Sequence, residues 1–102
     1  MNGMDSTTEK KVITQAEVTA IVYAAITKEV DEEITDKNKK DNLIDDLGAD
    51  SLGLSEIIMQ VEDDLGINIT DDEGLELTTP QKAAVFAKKA LKDGRSEKYT
   101  CH

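Results

Sequence analysis

The chain has 102 residues but only one cysteine, one histidine, one proline and no tryptophan. A single cysteine, Cys101, excludes an intramolecular disulfide and suits a reducing compartment. The single histidine is the final residue, His102, so a serine elsewhere has no base with which to form a triad. Cys101 and His102 together supply two metal ligands, where a structural zinc site takes four. Only Tyr23, Phe86 and Tyr99 are aromatic, so the core is expected to be aliphatic. No apolar run is long enough to cross a bilayer, and the opening residues lack the apolar stretch of a secretory signal. These absences predict one small cytoplasmic domain that is not an enzyme, is not inserted in a membrane and holds no dedicated metal.

One kind of charge is also missing from the middle of the chain. Between Asp41 and Gln81 there are twelve acidic residues and no lysine or arginine, within a net charge of −10. That field repels nucleic acid and anionic lipid, steers basic protein partners inward and favours a monomer. An acidic surface also serves solubility. Asp63-Asp64 and Asp71-Asp72-Glu73 lack the ligand spacing of an EF-hand, so they predict at most weak divalent binding.

Hydrophobic spacing and caps predict an all-α fold, a small four-helix bundle with three main helices, one short third helix and a long loop between the first two. Residues 1–12 are expected to be a flexible lead-in, 13–93 the folded domain and 94–102 a flexible polar tail. Thr14 and Glu17 form a capping box ahead of Val18, Ile21, Val22, Ala25 and Ile26 at helical spacing, so the first helix runs from about Gln15 to Val30. Asp31–Asn42 reads as a loop anchored by Ile34, followed by an apolar turn of Leu43, Ile44 and Leu47. Leu54, Ile57, Ile58, Val61 and Leu65 share one face of a second helix that stops at Gly66. Thr70 starts a short third helix broken at Gly74, with Leu75 and Leu77 turned inward. Thr79-Pro80 opens a fourth helix ending near Lys92. No strand-like alternation is present.

The informative stretch is Leu47-Gly48-Ala49-Asp50-Ser51-Leu52. A glycine turn and an acid precede a serine at the first positions of the second helix, where an anion suits the dipole. With no base to activate it, Ser51 reads as a point of attachment. On this helix Leu52, Met59 and Glu56 lie roughly 140–200° from Leu54, on the face turned away from the core. Leu52 and Met59 among Glu56, Glu62 and Asp63 suit a partner with an apolar socket rimmed by basic side chains. Scattered exposed apolar residues are also ordinary for a surface.

Taken together, Leu47–Leu52, Glu56, Met59, Glu62-Asp63-Asp64, Ile69–Glu73 and Leu77-Thr78-Thr79 resemble the acyl carrier protein family over about Ile13–Leu91. The resemblance implies that a phosphopantetheinyl transferase attaches 4′-phosphopantetheine from coenzyme A to Ser51, flanked by Asp50 and Leu52. It further implies docking of acyl-transferring and acyl-modifying enzymes with basic surfaces on Leu52, Glu56, Met59, Glu62 and Asp63. Leu54, Ser55, Ile58, Ile69 and Leu77 are the implied acyl pocket, and fatty-acid or related lipid or polyketide synthesis the implied pathway. Gly53, Ser55 and Gly74 depart from the family pattern near that pocket, which points to a specialised carrier. Aminoacyl, D-alanyl and peptidyl carriers are alternatives within this class. Outside it, the alternative is an unmodified acidic helical adaptor that binds basic proteins.

Overall fold

The computed structural model describes residues 11–101, so most of the expected lead-in and His102 lie outside the described residues. The order of elements is β1 (Lys11–Ile13), α1 (Gln15–Val30), α2 (Ser51–Leu65), α3 (Asp71–Gly74), α4 (Pro80–Lys92) and β2 (Tyr99–Cys101). The fold is a small helical bundle in which α1 packs against both α2 and α4.

Each helix begins where a side chain satisfies backbone N–H groups that have no intrahelical partner. Thr14 and Glu17 form the capping box of α1, Thr70 and Glu73 that of α3, and Thr79 caps α4 with Pro80 in its first turn. Gly66 closes α2 at φ 66°, a left-handed conformation that costs glycine little. Asp31 holds the equivalent position after α1 at φ 57°, unusual for a residue with a β-carbon.

The core is aliphatic and continuous. Val18, Val22 and Ile26 of α1, Ile57, Val61 and Leu65 of α2, and Ala83, Ala84, Ala87, Ala90 and Leu91 of α4 are all buried. Alanine predominates on α4, which lets that helix approach α1 closely. The connection between α1 and α2 contributes Ile34, Leu43 and Leu47 to the core, while Ile44, expected in the same cluster, is exposed. Two backbone bonds, Leu43 N–H to Thr78 C=O (2.9 Å) and Gln81 N–H to Lys39 C=O (2.9 Å), fasten this connection to the start of α4.

Two expectations need correction. Leu75 does not pack inward but is among the most exposed apolar residues. The inward position of α3 belongs to Gly74, against Ile58, and the next residue is rotated about 100° toward solvent. Leu77 is buried as expected.

The second correction concerns strands and the segment after α4. β1 and β2 pair in parallel, with Lys11 opposite Tyr99 and Ile13 opposite Cys101. Between α4 and β2, Ser96 is 1% exposed, with its hydroxyl donating to the Leu65 carbonyl and accepting from Lys98 N–H and Tyr99 N–H, both at 3.0 Å. Lys98 Nζ donates to the Asp63 carbonyl at 2.9 Å. Residues 95–101 form a strap across the C-terminal end of α2, because polar side chains there find backbone partners that local sequence cannot announce.

Candidate functional site

The turn before α2 is built by Asn42 and Gly48. Asn42 Oδ1 accepts from Ile44 N–H and Asp45 N–H, both at 2.9 Å, and Asp46 Oδ2 accepts from Asn42 N–H at 2.8 Å. Gly48 lies at φ 82°, and the next residue, Ala49, is buried with its N–H donating to Leu43 C=O at 2.8 Å. The turn thereby delivers Asp50 as N-cap and Ser51 as the first residue of α2.

Asp50 Oδ1 accepts from Gly53 N–H at 2.7 Å, and Asp50 C=O accepts from Leu54 N–H at 2.9 Å. Ser51 and Leu52 are both exposed, and their N–H groups have no partner among the described residues. An exposed hydroxyl therefore stands beside two free donors at the positive end of a fifteen-residue helix. The strap, which carries Cys101, meets α2 at Asp63 and Leu65, roughly 20 Å along the axis from Ser51. No helix of the described residues is long and apolar enough to cross a membrane.

Leu52 is 69% and Met59 62% exposed, with Glu56 and Asp63 exposed nearby. Glu62 differs from them. It is half-buried, and its carboxylate accepts from Ile69 N–H at 2.8 Å, tying α2 to the following connection. Between α1 and α2, Lys28, Glu29, Glu56, Met59, Gln60 and Asp63 line an open cleft of about 390 Å³. The Glu29 carboxyl is held above its ordinary range, first by its hydrogen bond with Glu56, then by partial desolvation and the charges of Glu56 and Asp50. Sequence reasoning missed Glu29, which lies at the end of α1 and meets α2 only through the fold.

Leu54, Ile58, Ile69 and Leu77 converge on an apolar cavity with Leu43, Ile57, Val61 and Ala83. Its free volume is about 10 Å³, hardly room for one water. Ser55 is exposed and does not line it.

A small helical domain that displays one serine at the mouth of its second helix, above an acidic and apolar face, has the form of a carrier domain. The family model described as "Phosphopantetheine attachment site" matches residues 16–84, more than half of the chain, and spans α1, the serine turn, α2 and α3. The chain belongs to that family, whose domains carry 4′-phosphopantetheine covalently, receive it from a transferase and interact with enzymes.

Proposed function

We propose that Ser51 is the residue that takes 4′-phosphopantetheine and that the protein is an acyl carrier. The observation that supports this most is the exposed Ser51 hydroxyl next to the free N–H groups of Ser51 and Leu52. Esterification there places a phosphodiester anion where N–H donors and the helix dipole favour it. Asp50 is occupied by its bond to Gly53 N–H, so it fixes the turn and leaves the hydroxyl unobstructed. The arm's thiol, with an ordinary pKa of ~8.5, holds cargo as a thioester.

In this reading the protein performs no chemistry itself. Leu52, Glu56, Met59 and Asp63 form the face that basic partner surfaces recognise, with Glu62 serving mainly to hold the connection to α3. Leu54, Ile58, Ile69 and Leu77 form the seat for cargo, which opens only as these side chains separate. Partners are the transferase and enzymes of fatty-acid or related lipid or polyketide synthesis, met by a monomer in the cytoplasm.

The test is direct. Incubation with coenzyme A, Mg²⁺ and a broad-specificity transferase is expected to add one phosphopantetheine mass, and Ser51→Ala to abolish the addition. If the wild type gains no mass, the acidic adaptor takes the place of the carrier.

A further inference from the structure

Between Ile67 and Leu77 the chain forms a lid over the closed cavity, to which it contributes Ile69 and Leu77. The only helix in this lid, α3, has four residues, too few to be stable without outside support. Its capping box leaves the Glu73 carboxylate exposed to one side, and there it meets Arg95. Arg95 Nη1 donates to Glu73 Oε2 and Nη2 to Glu73 Oε1, both at 3.0 Å. Nη2 also donates to the Asn68 carbonyl, and the guanidinium lies over the Phe86 ring of α4, 5.3 Å from its centre. One side chain thus joins the start of the lid and α3 to α4.

Arg95 is itself held in place. The strap that follows it is fixed by Ser96 on Leu65, by Lys98 on Asp63 and by the β1–β2 pair. Arg95 lies beyond residues 16–84, the span matched by the family.

We propose that Arg95 is a latch on this lid, so that the strap following α4 sets how readily the core cavity opens. The planar fork matches the carboxylate and the flat face rests on the ring, a combination that a lysine cannot supply. With the latch engaged, Ile69 and Leu77 stay against α2 and the cavity stays closed. With it released, the lid loses its tie to α4 and opens more readily, held then by the Glu62–Ile69 bond and by the burial of Gly74 and Leu77. The link from lid opening to cargo rests on the carrier reading, whereas the latch itself does not.

Amide hydrogen exchange on the full, unmodified chain tests the latch. In Arg95→Gln, the N–H groups of Gly74, Leu75 and Leu77 are expected to exchange about tenfold faster, the loss of a charge-assisted bond discounted for its partial exposure. Core amides of Val22 and Ala87 should keep wild-type rates, and Arg95→Lys should restore part of the protection. Glu73→Gln keeps the capping box, since glutamine caps as well as glutamate, yet it should match Arg95→Gln, with no further effect in the double variant. Wild-type rates in the lid of Arg95→Gln, or equal acceleration of lid and core, would overturn the latch.

A second measurement addresses cargo. With an octanoyl group on the arm, the Arg95→Gln thioester is expected to resist hydroxylamine severalfold longer than wild type, because a loosened lid admits the chain more readily. An acetyl thioester, too short to reach inside, should be cleaved equally in both. Equal cleavage of the octanoyl forms would remove the role in cargo access. Failure of both proteins to accept the arm would instead reject the carrier reading, with exchange still deciding the latch.

Discussion

The carboxyl group of Glu29 lies over the α-carbon of Gly53, so close that a β-carbon there would stand 3.1 Å from Glu29 Oε2 and 3.2 Å from Asp50 Oδ1. Gly53 is buried in the first turn of α2 because the end of α1 occupies the space where a side chain would go. Gly53→Ala gains about 0.5–1 kcal/mol in helix propensity, set against displacement of a flexible carboxylate, and a near-neutral change in denaturant midpoint is expected. Gly53→Asp adds a third carboxylate to Glu29 and Asp50. Its melting temperature should fall clearly below wild type at low salt, with the gap narrowing in concentrated salt.

Glu29 gives the protein a pH dependence of determinable sign. Its folded pKa is raised above the ordinary 4.5, chiefly through Glu56. The folded state then binds this proton more tightly than the unfolded chain, and ionisation is a penalty present above the folded pKa. The penalty fades as pH falls through that value and vanishes below 4.5. Glu56 of α2 and Asp50 at its N-cap act on the group, in a cleft that Lys28 of α1 and Asp63 of α2 also line. Glu29→Gln should melt higher than wild type at pH 7, with the difference shrinking on acidification. An unchanged difference between pH 7 and 4.5 would count against the pairing with Glu56.

Glu73 carries the opposite sign. Arg95 and Thr70 N–H lower its carboxyl to about 2, so its contribution is complete above the ordinary value of 4.5 and is lost as pH falls toward 2. Lid protection, corrected for intrinsic exchange, should be constant from pH 7 to about 5 and decline below that.

Ser96 is the hinge of the strap. Ser96→Ala leaves Leu65 C=O, Lys98 N–H and Tyr99 N–H without the hydroxyl they share, at a cost of about 1–3 kcal/mol. Chemical denaturation should register that loss, and exchange at Tyr99 should rise more than exchange within α1. A loss below about 0.5 kcal/mol would mean that water takes over these bonds.

Leu52 and Glu56 are exposed, so Leu52→Ala and Glu56→Lys should each shift stability by no more than about 0.5 kcal/mol. Transferase modification is expected to slow severalfold in each, more steeply at low salt for Glu56→Lys. Wild-type kinetics in both would remove this face from partner recognition.

The helices were legible because their signals are local. Thr14, Asp50, Thr70 and Thr79 cap the helices next to them, Gly66 terminates α2, and the spacing of Leu54, Ile57, Ile58, Val61 and Leu65 faces them to the core. The turn presenting Ser51 was legible for the same reason. The strap was not, because Arg95, Ser96 and Lys98 are polar residues whose partners, Glu73, Leu65 and Asp63, lie far back in the chain. Lys-Val-Ile and Tyr-Thr-Cys do favour strands, yet segments of three residues acquire meaning only beside each other. From the sequence Gly74 signals only the break of the third helix, whereas a β-carbon there would come within 2.8 Å of Ile58 Cδ1.

The parallel pairing of Lys11–Ile13 with Tyr99–Cys101 also decides how the domain bears mechanical load. The chain enters this pair at Lys11 and leaves it at Cys101, at opposite ends of the two strands. Tension applied across those residues pulls the strands past each other in shear, loading their backbone bonds together instead of peeling them apart one at a time. Both strands must slide before force reaches α1 or α4, so under traction the short pair is the first element to yield and the shield of the helical core.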